Sequence, residues 1–270
     1  MRQSLSLGRI FGIDVRVHAT WLLAFAFVTW GLANGYFRFV LPRQPGLVWP
    51  LLLGAISALL LFASVLLHEF SHSLVAQALG MRVRDITLFI FGGVSNIGGE
   101  VRGARDEFLI AAVGPLTSFV LAALFWGIGH SLNSPSPVDL LLGSARTLRS
   151  VTPAVAILNY LAAINLLLGA FNLLPAFPMD GGRVFRSIIW GVTRSPARAT
   201  LIAATLGQIL GVLMIGLGIL RVVLGDVLGG MWTTLIGWFV LQSARAARHD
   251  LATAPQVPGP SAKPDLSPVP

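Results

Sequence analysis

Cysteine is absent from the 270 residues. That excludes disulfides and thiolate ligands, and it restricts any zinc site to His, Asp or Glu. Charge is scarce as well: 11% of residues are charged and 55% are hydrophobic. A soluble domain of this size needs far more polar surface, so the composition excludes an aqueous enzyme and points to a polytopic membrane protein. Lysine is nearly missing. Lys263 is the only one, so the net charge of +8 is carried by arginine. The arginines sit in short loops between apolar runs rather than in one basic face, so membrane orientation is expected and nucleic acid is not. Their excess over lysine suits a high-GC prokaryotic genome. The N-terminal MRQSLSLGRIFGIDVRVH has neither an apolar core nor a small-residue cleavage site, so no signal peptide is expected. No internal repeat is visible.

What is plentiful is apolar runs of membrane-spanning length. A helix needs roughly 20 apolar residues to cross the hydrocarbon layer. Six segments approach this: residues 18–37, 51–79, 107–130, 154–174, 197–221 and 228–243, the last shortened by glycines. The predicted fold class is therefore an all-α polytopic membrane protein with about six transmembrane helices. With an even count, fourteen basic residues fall on the side of the termini and five (Arg38, Arg43, Arg146, Arg149 and Arg221) on the other. The positive-inside rule then puts both termini in the cytoplasm. Residues 82–99, RVRDITLFIFGGVSNIGG, predict a strand, a glycine turn and a second short strand. Residues 8–17 alternate apolar and polar positions and are expected to join them in a small sheet. Residues 1–248 form the expected membrane domain. Residues 249–270, rich in Pro and Ala, predict a flexible tail.

Ionisable residues interrupt this apolar background at one place in particular. His68-Glu69-Phe70-Ser71-His72 lies inside the second run, after LLLGAISALLLFASVLL. Residues four apart share a helix face, so His68 and His72 can chelate one ion. Glu69 beside them can take a proton from a water without itself being a ligand. In a soluble chain this pattern gives many chance matches. At membrane depth, unpaired ionisable groups cost several kcal/mol (about 2.5–3.5 on insertion scales), so here they mark function. His68 lies eleven residues, roughly 16 Å of helix, before the expected cytoplasmic end of the run at residue 79. Two histidines leave a catalytic zinc site one protein ligand short. The best candidate is Asp180 in NLLPAFPMDGGR, residues 172–183. Pro175 and Pro178 break helical hydrogen bonding there, and Gly181 and Gly182 permit close approach. Broken backbone at membrane depth is tolerated where it lines a cavity or is buried in protein.

HEFSH in one span and NLLPAFPMDGGR after a later one, with FIFGGVSNI and AAVGPLTSF between them, resemble the site-2 protease family of intramembrane zinc metalloproteases. The resemblance runs from about Gly8 to Arg248. It implies a three-helix catalytic core, formed by the second to fourth spans. It also implies one catalytic zinc ion on His68, His72 and Asp180, with Glu69 as the base. The reaction implied is hydrolysis of peptide bonds in or near transmembrane segments, as in regulated intramembrane proteolysis. Residues 82–99 would match the family's membrane-associated hairpin, which presents an edge to an extended substrate. No PDZ insert separates the motifs, which resembles the compact branch. Some members of that branch carry cystathionine-β-synthase-type modules, and none is expected within these residues.

Asn172 and Asn165 carry amide donors on the fourth span and are candidates to stabilise an oxyanion, although interhelical hydrogen bonding also explains them. His18, His130 and His249 stand at span ends, and Trp21, Trp30, Trp126, Trp232 and Trp238 suit interface belts or packing. Expected partners are the lipid bilayer and single-span membrane protein substrates in a prokaryotic inner membrane; a homo-oligomer is left open. The alternative is a polytopic metal-ion transporter. Transporters commonly show repeated halves, which this chain lacks, and transport gives Glu69 no special use.

Overall fold

The computed structural model describes residues 4–41, 46–99, 101–132 and 151–253. Strands β1 (Ser4–Ile10) and β2 (Ile13–His18) open the chain as a hairpin. Its reversal is the pair Phe11-Gly12, both with positive φ (51° and 78°). Positive φ at both central positions gives the primed turn that matches strand twist. The helices α1 (Trp21–Gly31) and α2 (Phe37–Val40) follow, joined by a π-helical stretch, Leu32–Tyr36. Next comes α3 (Val48–Ala78), then β3 (Arg82–Phe89) and β4 (Gly92–Gly98). The chain continues through α4 (Ala104–Ser131), α5 (Pro153–Asn172) and a short α6 (Asp180–Thr193). It closes with α7 (Pro196–Val223) and α8 (Val227–Thr253).

Five helices among the described residues are long and apolar enough to cross a membrane: α3, α4, α5, α7 and α8. The first of the six expected spans, residues 18–37, is the exception, because its helix is divided by the π-helical stretch. Gly31 and Gly35 lie in and beside that stretch, where low helix propensity eases the widened turn. Tyr36 then donates to the Ala156 carbonyl at 2.8 Å, which ties the stretch to α5. At the other end, α8 runs on to Thr253, so the first five residues of the expected tail are helical. Residues 254–270 of that tail lie outside the described residues.

The expected small sheet has four strands in the order β1-β2-β3-β4. The two ends of the sequence pattern meet where β2 pairs with β3 in parallel, Asp14 opposite Asp85 and Val17 opposite Leu88. Parallel neighbours need a crossover, and α1 to α3 supply it. The β3–β4 reversal falls at Ile90–Phe91 rather than at the glycines. Gly92 and Gly93 belong to β4 instead, with Leu88 opposite Gly93. Ile13, Val15, Val83 and Ile86 of the sheet are buried with Phe70 and Ala76 of α3 and Ile110 of α4. This cluster seats the sheet against the C-terminal half of α3, where the His-Glu motif lies.

Glycines set the closest helix contacts. The pair α7–α8 meets through Gly211 and Gly218 on one side and Gly230 and Gly237 on the other, each too near the facing helix to carry a side chain. Small residues of this kind let membrane helices approach backbone to backbone.

Candidate metal centre and its surroundings

α3 carries His68 and His72 one turn apart, and both are buried. Asp180 reaches them from another direction. The α5 helix ends at Asn172, and Pro175 and Pro178 keep the next residues non-helical until α6 starts at Asp180 itself. This irregular segment is held by α7, where the Phe177 amide donates to the Ala203 carbonyl at 3.2 Å. Gly181 and Gly182 lie so close to the Leu173, Leu174 and Ala176 backbone that neither could carry a side chain. The two glycines therefore let α6 begin tucked under the end of α5, with its first residue turned toward α3.

Three potential ligand atoms converge. The His68 and His72 Nε2 atoms lie 3.0 and 3.2 Å from Asp180 Oδ2, and 3.2 Å from each other. The far side of each ring has its own partner. His72 Nδ1 is 2.5 Å from the Ile110 carbonyl, which can only accept, so Nδ1 carries a proton and, in the neutral ring, Nε2 is left to ligate. His68 Nδ1 lies 2.9 Å from Ser118 Oγ, a hydroxyl that can accept from it or donate to it. With both rings neutral and Nδ1-protonated, the two Nε2 atoms and the carboxylate oxygen form a donor set for one cation. Tetrahedral ligands at about 2.0–2.1 Å from zinc are separated by about 3.3 Å, so the donor set and its spacing fit that ion. Both partners beyond the rings come from α4, which thereby orients the two α3 histidines.

α4 also gives the rings room. Gly114 lies flat against them, and a β-carbon there would collide with Nε2 of both histidines. Glu69 sits half-buried on the adjacent face of α3, against β4. A β-carbon on Gly93 would come within 2.5 Å of Glu69 Cγ, and Ser95 Oγ donates to Glu69 Oε2 at 2.7 Å.

Behind the metal ligands, Arg186 of α6 donates from Nη1 to Glu107 Oε1 of α4 at 2.7 Å. Glu107 is fully buried. The pair fastens the helix that begins at Asp180 to the helix that orients both histidines.

The other sequence candidates fall elsewhere. Asn165 is buried, and its amide donates to Ser64 Oγ (3.2 Å) and to the Leu161 carbonyl (2.8 Å). Both amide hydrogens are thus engaged in packing, and none is left for an oxyanion. Asn172 is half-buried at the end of α5, and its amide has no hydrogen bond among the described residues. His18 Nδ1 accepts from the Thr20 amide at 3.3 Å, a local turn before α1. His130 is exposed and stacks on Trp126, and His249 is exposed near the end of α8. Trp21 packs on Phe25 and Phe62, Trp232 stacks on Phe27, and Trp30, Trp126 and Trp238 are about half exposed. Sequence reasoning gave no role to Ser118, Gly114, Ser95 or the Glu107–Arg186 pair; the first three stand inside AAVGPLTSF and FIFGGVSNI, which marked only a resemblance.

Fold and site together define an integral membrane protein with a buried two-histidine, one-carboxylate group able to hold a metal ion and a glutamate beside it. Residues 56–215 match peptidase family M50, and the chain belongs to that family. It is 38% identical over 258 residues to the putative zinc metalloprotease Rip3 of Mycobacterium tuberculosis, covering 94% of this chain and 61% of that protein. To the putative zinc metalloprotease sll0528 of Synechocystis it is 38% identical over 257 residues, covering 95% and 63%. Its fold is similar to that of the site-2 protease from Methanocaldococcus jannaschii, with a TM-score of 0.60 and 29% identity across 91% of this chain and 95% of that one. The chain thus spans about three-fifths of the length of the two curated relatives it matches at 38% identity. Between the two motifs the described residues form β3, β4, α4 and α5, and only 133–150 and residue 100 lie outside them. That is too few for an inserted folded domain such as a PDZ module.

Proposed function

We propose that the chain is a zinc-dependent intramembrane endopeptidase that hydrolyses peptide bonds in or near the transmembrane segments of single-span membrane proteins. The observation that carries this reading is the meeting of two imidazole Nε2 atoms and a carboxylate oxygen beside Glu69 in a helix of membrane-spanning length. His68, His72 and Asp180 would hold the zinc. The ion, when bound, supplies Lewis-acid polarisation of the scissile carbonyl and of the attacking water.

The remaining chemistry is the chain's own. Glu69 takes the proton from the attacking water and returns it to the leaving nitrogen. The uncommitted amide of Asn172 donates to the developing oxyanion. A helical substrate hides its carbonyls in its own hydrogen bonds, so it must unwind before attack. The outer edge of β4 is the last in the sheet order and is free to pair with such an extended segment. Residues 1–248 would form the catalytic unit, and the lipid bilayer is its second partner. The arginine distribution supports cytoplasmic termini in a prokaryotic inner membrane, with the α1–α2 region as a sixth crossing. The metal-ion transporter reading finds no support among relatives named as zinc metalloproteases.

The test is cleavage of reconstituted single-span substrates by the full chain beside Glu69→Gln at matched zinc content. The parent is expected to cut within or next to the span, and the variant to retain zinc while losing roughly 10²–10⁴-fold in rate. Zinc flux across proteoliposomes with no cleavage of any substrate would replace the protease reading with the transporter.

A further inference from the structure

Glutamate has a long side chain, and a carboxylate that must meet one water at one carbonyl has to be restrained. On α3, Glu69 and Ser73 are four residues apart and so share a face. Ser95 of β4 sits between them. Its Oγ donates to Glu69 Oε2 at 2.7 Å, while Ser73 Oγ donates to Ser95 Oγ at 3.2 Å. Ser73 is fully buried, so its hydroxyl is itself fixed by packing. The chain Ser73 to Ser95 to Glu69 runs in one donor direction and ends on a carboxylate, and its last bond, at 2.7 Å, is the shorter one. Ser95 Oγ also lies 3.3 Å from the Glu69 carbonyl, which keeps it over that one residue. Two positions earlier on the same strand, Gly93 lets the Glu69 side chain lie against bare backbone. One carboxylate oxygen is therefore tied to β4, and the other is left for the water.

We propose that Ser95 is a positioning residue for Glu69, and that β4, the strand offered to the substrate, thereby also sets the catalytic base. Pairing a substrate with the free edge of β4 then brings its scissile bond into register with a carboxylate anchored on that same strand. The inference rests on the assignment of Glu69 as the base.

Two measurements on the zinc-loaded full chain test it. In cleavage of a single-span substrate, Ser95→Ala is expected to lower kcat about 10- to 100-fold, the scale of a small misplacement of a reacting group, with KM changed by less than about threefold. Zinc content stays at the parent level, and Ser95→Thr, which keeps the hydroxyl, recovers most of the rate. The second measurement is the Kd of a peptide hydroxamate, a metal-directed ligand whose acidic proton passes to the base. Ser95→Ala and Glu69→Gln are each expected to weaken binding about tenfold, and the double variant no more than Glu69→Gln alone. Losses that multiply in the double variant, a Ser95→Ala protein with parental kcat and Kd, or loss of zinc from Ser95→Ala would each overturn the role of Ser95 while leaving the base assignment standing. If Glu69→Gln itself neither slows cleavage nor weakens hydroxamate binding, the base assignment falls and the inference falls with it.

Discussion

Each imidazole at the centre is committed on its far side, His68 to Ser118 and His72 to the Ile110 carbonyl. Such outer partners hold the ring and its tautomer, and losing one typically weakens metal binding about 10- to 100-fold. Ser118→Ala should therefore lower zinc affinity by about that factor, read by competition with a chelator. Gly114→Ala should do more, because the methyl group takes the space of both Nε2 atoms; its purified protein is expected to hold well under one zinc per chain. These residues differ sharply in how readable they are. His68, Glu69 and His72 are legible because helical spacing and an apolar setting leave little else for them to do. Asp180 is legible only through the prolines and glycines around it. Ser118 is silent, since a lone serine in a membrane helix ordinarily bonds its own backbone, as Thr117 does here to Val113. Asn165 carried two readings in the sequence, and its amide takes the interhelical one, on Ser64, with the Leu161 carbonyl as its second acceptor.

Between elements, the strongest polar link near the site is Arg186 of α6 on Glu107 of α4. Glu107 is fully buried and Arg186 half-buried, so removing Arg186 strands a buried carboxylate without its partner, at up to about 3–5 kcal/mol. Arg186→Ala is expected to lower the thermal midpoint and to loosen zinc, since α6 begins with Asp180. The paired replacement Glu107→Leu with Arg186→Met should recover most of the midpoint, because no charge is then left buried. A single variant as stable as the parent would show that α6 is held by other contacts. The helices were readable because a run of apolar residues of sufficient length has few alternatives in a chain so poor in charge. The sheet was half readable. Residues 82–99 were legible as two strands, and alternation marked 8–17 as a single stretch, but that stretch is divided by the β1–β2 turn on Phe11, whose positive φ no propensity announces. The first span was read as continuous because hydropathy is blind to a π-helical turn.

At the scale of the whole molecule, the absence of cysteine becomes an experimental convenience, since any introduced thiol is the sole one. Orientation can be read by labelling single-cysteine variants in intact cells with a membrane-impermeant maleimide. Leu132 and Leu224, exposed at the ends of α4 and α7, are expected to label when replaced by cysteine. Ser6 and Ala246, exposed near the two ends of the described chain, are not. The reverse pattern would overturn the cytoplasmic assignment of the termini. One consequence of the architecture concerns time rather than space. Asp180 lies 112 and 108 residues after the histidines it joins. At roughly 5–20 residues per second, a ribosome needs on the order of 5–20 s to travel that distance. Throughout that interval the emerging polypeptide has its paired histidines but not the carboxylate that completes the group. The three-residue set can assemble only after α5 has been made and the backbone has doubled back to α3.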